Sequence, residues 1–328
     1  MLKFKSFFAT GILILSCNVS WAQAGALTPS DPAFFNTLEE IQQTVSAKSK
    51  TLNHNSPCSL PKLCDHGTKS RSDVYQKVII QLADSPVPAS YVSSALYDPR
   101  THIIPEIPPL FQRHGGHGEK IPYERYRKLF LTPKNIATGT QFYIEHKDIL
   151  TQVQNRYGVD PFVLVSLLGI ETRWGQDTGR ISVLSALYTI ATSVPRLSDW
   201  ACRELAAYFQ ICYGEKIPPH SILGSYAGAF GYYQFMPSSY NLYAVDFDAD
   251  GKKSYDSWPD VLASIANYLK AHGYKASGGD GPDSPIWQSL YSYNHSNNYA
   301  HVILELRAAI RAAVEKSNPS PRTYAEKV

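Results

Sequence analysis

Long apolar runs are missing from the chain beyond its first two dozen residues, so no later segment is long enough to cross a bilayer as a helix. A dominant charge of one sign is also missing. The full chain carries 31 basic and 28 acidic side chains, a net charge of +3, and loss of Lys3 and Lys5 with a leader brings the net to +1. That balance argues against nucleic acid as the main partner and fits a neutral or mildly acidic polymer. Cysteine is scarce, with five copies, and no pair has zinc-site spacing. Strand signals are sparse and no repeat of 20 to 50 residues is visible, which leaves a mainly α chain with small β or irregular elements.

What is present begins with a leader. Lys3 and Lys5 precede the apolar run from Phe7 to Leu15, and Ala22-Gln23-Ala24 is a small-x-small cleavage site, so residues 1–24 read as a secretory signal peptide and the mature protein is exported to the periplasm. Ile14-Leu15-Ser16-Cys17 offers a second reading, a lipoprotein site that anchors the protein to a membrane through an acylated Cys17. Its leucine at the second position fits that box poorly, and soluble export leads. After cleavage Cys58, Cys64, Cys202 and Cys212 remain. Cys58 and Cys64 flank a short loop that a disulfide can close. Cys202 and Cys212 read as one helix, where ten residues separate them by about 15 Å, beyond the reach of a disulfide unless the helix breaks between them.

Residues 25–71 form a polar arm with one helical candidate at Phe34 to Ser46, and 72–150 a helical accessory region. Within the latter, Ser72 to Ala83 is an amphipathic helix, Val87 to Pro109 a proline-interrupted connector with short extended pieces, and Pro133 to Tyr157 one long helix capped by Gly158. His114 and His117 sit in a glycine loop without a third ligand, as in a plain surface turn. The core is expected at 151–316, with helices at Val183 to Thr192, Leu197 to Cys212, Pro237 to Val245, Pro259 to His272 and Asn298 to Lys316, and a tail at 317–328.

The core is organised around the helix that starts at Asp160-Pro161. Asp160 is an N-cap and Pro161 occupies the first helical position, where its missing N–H costs nothing. Val163, Leu164, Leu167, Leu168 and Glu171 follow at three- and four-residue spacing, which aligns a lone carboxyl group with the apolar face. Desolvation there raises the pKa and keeps the group protonated near neutral pH, as a general acid for glycosidic cleavage requires. The plainer alternative is a glutamate paired with Arg173 at a helix end. Asp177 is the nearest second carboxylate, but six residues of helix turn it well off the Glu171 face, and Gly175 is expected to end the helix. A single carboxyl group assisted by the substrate's acetamido group is therefore the economical mechanism, with a two-carboxylate hydrolase as the alternative.

Two further stretches are not ordinary linkers. Gly224-Ser225-Tyr226-Ala227-Gly228-Ala229-Phe230-Gly231 has three glycines within eight residues, and polar Ser225 and Gln234 interrupt apolar neighbours, as in a ligand-facing loop. Leu290 to Tyr299 is dense in aromatic and amide groups, the usual equipment for holding a sugar, although a polar loop capping the last helix has the same composition. The 22 tyrosines suit sugar faces too, but by count alone they are core-edge residues. Asp246 to Ser257 matches an EF-hand loop at positions 1, 3, 5 and 6, with Ser257 where a strong calcium loop has glutamate. Either weak structural calcium or a loop held by its own Asx turns accounts for it.

Together, Gly169-Ile170-Glu171-Thr172-Arg173-Trp174-Gly175, Gly224-Ser225-Tyr226-Ala227-Gly228-Ala229, Gln234-Phe235-Met236-Pro237-Ser238-Ser239 and Ala266-Asn267-Tyr268-Leu269-Lys270-Ala271-His272-Gly273 resemble, in order and spacing, the lytic murein transglycosylase B family. The resemblance covers roughly Tyr123 to Ala313 and fades upstream of about residue 120. It implies a lysozyme-like helical core acting on the glycan strands of peptidoglycan, with no required cofactor. It implies Glu171 as the sole acid and base and 1,6-anhydromuramoyl ends as the product. It also implies Ser225 and Gln234 as contacts to substrate or Glu171, with Tyr268, Tyr293, Asn294 and Tyr299 lining the cleft. A calcium loop occurs at this place in the resembled family, which implies Asp246, Asp248, Asp250, the Lys252 carbonyl and Ser257 or Asp256 as ligands. A hydrolase of the same glycan and a non-catalytic wall-binding protein are the competing readings, and an intact Glu171, Ser225 and Gln234 disfavour the second of these.

Overall fold

The computed structural model describes residues 70–112 and 122–317. Phe34 to Ser46, the histidines at 114 and 117, Cys17, Cys58 and Cys64 lie outside the described residues. Two compact units emerge, each built from two separate stretches of chain: 70–112 with 178–242, and 122–177 with 243–317. The boundary expected at 150 falls inside the helix Lys147–Tyr157, which belongs to the second unit because it packs against Trp258–Ala271. Both units are helical, as expected, and the described strands are one two-residue pair.

In the first unit Arg71–Gln81, Ala89–Leu96, Pro108–Gln112, Val183–Ser193 and Ser198–Gly214 are helices. Ser70 and Asp73 make a reciprocal capping box: the Ser70 hydroxyl accepts from the Asp73 N–H at 3.1 Å, and the Asp73 carboxylate accepts from the Ser70 N–H at 3.0 Å. Two helices lie in the stretch from Val87 to Pro109 where a connector is expected. Pro88 stands at an N-cap and Pro108 at a first helical position, so each proline starts a helix where the sequence suggests a break. Val183 to Thr192 are buried without interruption, and Ser198–Gly214 packs along this helix with Leu205, Tyr208 and Phe209 fully enclosed. Cys202 and Cys212 are buried on that helix and unbonded to each other, as their spacing requires. Ile181 and Ser182 pair antiparallel with Gly224 and Leu223, which fixes the entry to the glycine loop.

The second unit contains the helices Tyr123–Phe130, Pro133–Glu145, Lys147–Tyr157, Pro161–Thr172, Trp258–Ala271, Pro285–Tyr293 and Asn297–Ser317. The single helix expected from Pro133 to Tyr157 breaks at His146, whose backbone leaves the helical region at φ −112°. Its imidazole stacks on Phe142 at 4.2 Å and meets the Trp258 ring edge-on at 5.4 Å, contacts that reward the break. Gly158 ends the second half in a left-handed cap, as expected. Pro161–Thr172 runs through the middle of this unit, in contact with Asn297–Ser317, Pro133–Glu145, Lys147–Tyr157 and Trp258–Ala271.

Candidate active site

The Asp160 carboxylate accepts from the Phe162 N–H at 3.0 Å and starts the central helix. The same group is ion-paired with Arg311 and lies 3.9 Å from the Arg307 guanidinium, so the helix start is tied to Asn297–Ser317. The periodic apolar face read from the sequence is a partial view, because every residue from Val163 to Thr172 is buried and the helix has no solvated side.

The helix ends at Thr172, earlier than the stop expected at Gly175. Arg173, Trp174 and Gly175 all hold left-handed backbone, with φ of 51°, 57° and 79°. For Arg173 and Trp174 this costs about 1–3 kcal/mol each. It is held by the Trp174 N–H donating to the Leu168 carbonyl at 3.1 Å, the Gly175 N–H to the Thr172 hydroxyl at 3.0 Å and the Asp177 N–H to the Thr172 carbonyl at 3.0 Å. Asp177 therefore lies beyond a reversed turn and not on a continuing helix.

The Glu171 carboxyl group is 3% exposed, and burial raises its pKa well above the ordinary carboxylic value. Among the described residues the only opposing influence is the Tyr299 hydroxyl, which donates to Oε1, and no cation contributes, so the alternative of an ion pair with Arg173 is not realised. Oε2 is buried and has no hydrogen-bond partner among the described residues. The result is a buried carboxyl group whose environment favours the protonated form, hydrogen-bonded at one oxygen and without a partner among the described residues at the other.

Three of the four aromatic and amide groups expected near Glu171 build one wall. Tyr299 comes from Asn297–Ser317, Tyr293 from the end of Pro285–Tyr293 and Tyr268 from Trp258–Ala271. Tyr293 lies parallel to Tyr299 at 6.5 Å and meets Tyr268 edge-on at 4.8 Å, and the Tyr268 hydroxyl donates to the Ser292 carbonyl at 2.8 Å. Asn294 is the cap residue that follows, 5% exposed, with its Nδ2 unpartnered among the described residues. Leu290 to Tyr293 are helical, a correction to the loop expected there: Pro285 and the Ser284 cap begin a helix that the sequence reading left out. Tyr126 was also passed over. It is fully buried on Tyr123–Phe130, and burial first, then the Glu171 carboxyl, raise the pKa of its hydroxyl.

Ser225 and Gln234 belong to the first unit. The Ser225 hydroxyl accepts from the Ala229 N–H at 2.9 Å, and its own N–H donates to the Ala229 carbonyl at 2.9 Å, closing a buried turn. A Cβ at Gly228, where φ is 92°, would come within 2.6 Å of Leu187, so this glycine is required twice over. Gln234 has φ 53°, and its Nε2 donates to the carbonyls of Thr178 at 3.1 Å and Gly231 at 2.9 Å. These contacts pin the loop itself.

In the Asp246 to Ser257 loop, oxygen atoms of Asp246, Asp248 and Asp260 lie within 4.8 Å of one another. Asp260 stands outside the twelve-residue frame, on the following helix, and the sequence reading missed it for that reason. Asp250, expected as a ligand, is not in this group; its carboxylate accepts from the Lys252 N–H at 2.8 Å in an Asx turn. Asp246 accepts from the Gly251 N–H at 2.9 Å, and Asp260 accepts from the N–H groups of Phe247 at 2.7 Å and Ser254 at 2.8 Å. Burial, then the charges of Asp248 and Asp246, push the Asp260 pKa up against those two hydrogen bonds. Three convergent carboxylates of this kind fit a hard divalent cation.

Residues 71–282 match the family model described as the transglycosylase SLT domain. Over 150 residues the chain is 43% identical to the membrane-bound lytic murein transglycosylase B of Escherichia coli, a match that spans 46% of this chain and 42% of that protein. Among solved structures it is similar to the Escherichia coli lytic transglycosylase Slt35 in complex with calcium, at 27% identity and a TM-score of 0.66 over 74% of this chain and 93% of that one. It is also similar to SltB3 from Pseudomonas aeruginosa in complex with NAG-NAM-pentapeptide, at 25% identity and a TM-score of 0.62 over 74% of this chain and 80% of that one. The mainly α, lysozyme-like architecture expected from the sequence is thus shared with solved lytic transglycosylases.

Proposed function

The chain belongs to the transglycosylase SLT domain family, and from that premise we propose that it is a peptidoglycan lytic transglycosylase with Glu171 as its only acid and base. The observation that carries this is the state of Glu171: enclosed, hydrogen-bonded at Oε1, and with no cation and no partner for the buried Oε2 among the described residues. In the first step the neutral carboxyl gives its proton to O4, the oxygen bridging C1 of the N-acetylmuramoyl residue and C4 of the N-acetylglucosamine residue, and the C1–O4 bond breaks with its electron pair passing to O4. The carbonyl oxygen of the muramoyl acetamido group supports C1 as the bond breaks, so no second carboxylate is needed. In the second step the C6 hydroxyl oxygen bonds to C1 and its proton returns to Glu171. The enzyme is restored, no water is consumed, and the product ends in 1,6-anhydromuramic acid.

Tyr299 stabilises the carboxylate that exists between the two steps, because its donated hydrogen bond favours the ionised form. Tyr268, Tyr293 and Asn294 supply the ring faces and the amide for the sugar, and Ser225 and Gln234 hold the glycine loop in the shape that meets the glycan. The complex of SltB3 with NAG-NAM-pentapeptide supports this substrate class. The leader at 1–24 takes the protein to the periplasm, as a soluble form or anchored through Cys17. No helix among the described residues is long and apolar enough to cross a membrane.

Calcium is the cation for the Asp246, Asp248 and Asp260 cluster, with the Lys252 carbonyl and Ser257 as further oxygen donors. When bound it supplies structural crosslinking of the loop to the Trp258–Ala271 helix and no chemistry of the reaction; the complex of Slt35 with calcium supports the assignment.

The test of the reaction is mass analysis of muropeptides released from purified peptidoglycan by the mature protein and by a Glu171→Gln variant. Anhydromuramoyl products that vanish in the variant are expected. Reducing ends in their place make the protein a hydrolase, and no release by the wild type moves it to a wall-binding role.

A further inference from the structure

Trp174 is treated by the sequence as part of a motif, and the structure gives it a specific seat. Its indole folds back over the helix that carries Glu171, with Nε1–H donating to the Val165 carbonyl at 2.9 Å, nine residues earlier in the chain. Two glycines make room for the ring. A Cβ at Gly169 would stand 2.6 Å from Cζ2 of Trp174, and one at Gly139 would stand 2.9 Å from the same atom. Gly139 lies on Pro133–Glu145 and Gly169 on Pro161–Thr172, both helix interiors, where glycine costs about 1 kcal/mol relative to alanine. Ile310, from Asn297–Ser317, borders the same space at Gly139. The indole thus sits among three helices, one of which carries the acid, and it does so from the residue that, with Arg173, holds the strained left-handed turn directly after Glu171 and Thr172.

We propose that Trp174 is a positioning residue for the reaction: its indole, seated in the slot between Gly139 and Gly169, fixes the left-handed turn and so sets where the Glu171 carboxyl group stands. This rests on the transglycosylase reading of Glu171. The logic is one of geometry. Glu171 occupies the last turn of its helix, where ends fray into other conformations unless held. An ordinary glycine cap would stop the helix without anchoring it. Here the stop is made by two non-glycine residues, and the side chain of one of them is inserted under the helix as a strut. Loss of that strut lets the final turn relax, and a carboxyl group displaced by about 1 Å loses rate by as much as a hundredfold. The groups that titrate against Glu171 are Tyr299, which bonds to it, and Tyr126, which senses its charge. Neither is on the Trp174 turn, so a change at Trp174 reaches the acid only by moving or wetting it.

The experiment measures kcat, KM, the pH dependence of kcat and thermal stability on soluble glycan strands for the wild type, Glu171→Gln, Trp174→Phe, Gly169→Ala and the Trp174→Phe/Gly169→Ala pair, at a temperature where each is folded. Trp174→Phe is expected to lower kcat about tenfold with KM held within about twofold, and to move the alkaline limb of kcat to lower pH as water reaches the acid. Gly169→Ala keeps the indole but forces it from its seat and is expected to do the same. In the pair, the smaller phenyl ring leaves room for the new methyl group, so kcat is expected to rise several-fold above that of Gly169→Ala alone. A wild type that forms no anhydromuramoyl ends overturns the transglycosylase reading and this inference with it. An active wild type whose Trp174→Phe and Gly169→Ala variants melt lower but keep kcat and the alkaline limb shows a merely structural tryptophan and overturns the inference alone.

Discussion

The Tyr299 hydroxyl donates to Oε1 of Glu171, and both groups are buried. The bond favours ionised Glu171 while burial favours the neutral acid, and burial is the larger influence. Tyr299→Phe removes the opposing influence alone. The acid then holds its proton to higher pH, so the alkaline limb of kcat moves up. At the same time kcat falls about 10- to 100-fold, because a hydrogen bond to a charged group, about 1.5–3 kcal/mol, no longer supports the carboxylate between the two steps. A pH–rate profile of this variant checks both: a limb that moves down, or a kcat equal to the wild type, removes Tyr299 from the mechanism.

Glu171 also sets a stability cost. Its folded-state pKa lies above its unfolded value of about 4.5, so below that pH both states carry the proton and folding pays no penalty. As pH rises past that point the unfolded chain ionises first, and stability drops by about 1.4 kcal/mol per pH unit until the folded-state pKa is reached. Glu171→Gln does not ionise. The variant is expected to melt close to the wild type at pH 4 and above it at pH 7, a divergence that thermal unfolding at the two pH values measures directly.

The reach of the sequence differs between these features for physical reasons. Asp160-Pro161 marks a helix start by local chemistry, so that boundary was legible, as was the apolar setting of Glu171. Its stop was not, because the left-handed turn at Arg173 and Trp174 is stabilised by a slot whose other wall, Gly139, is distant in sequence. The same applies to Asp260 and Tyr126, which reach their partners through helix packing and carry no local signature. Pro88 and Pro108 misled by type: a proline that starts a helix and one that breaks it look alike until the following turn is seen. Ser225 and Gln234 stand out in the sequence as polar residues among apolar neighbours, and the contacts described for them are largely to their own loop.

Calcium is expected to raise the melting temperature of the wild type, and a chelator to lower it, with little change in kcat where the protein remains folded. Asp248→Asn is the useful variant, since Asp248 is exposed and its loss leaves the interior intact. With one fewer charge the cluster binds calcium more weakly, and the calcium-induced shift is expected to shrink. Differential scanning calorimetry of both proteins with and without calcium decides the matter. An identical melting temperature in calcium and in chelator means that the Asx turns alone hold the loop.

Asn294 separates binding from stability. Its Nδ2 is buried without a partner, and an unsatisfied buried donor costs about 1–3 kcal/mol. Such a cost persists in a folded enzyme when the group waits for a ligand, here a carbonyl or hydroxyl oxygen of the glycan. Asn294→Leu replaces the amide with an apolar group of similar volume, which relieves the penalty and removes the donor. The expected outcome is a melting temperature at or above that of the wild type together with a KM raised about tenfold, while the alkaline limb of kcat stays in place because the Tyr299–Glu171 bond is untouched. A variant that melts lower and binds glycan as tightly as the wild type would give Asn294 a role in the fold and none toward the sugar.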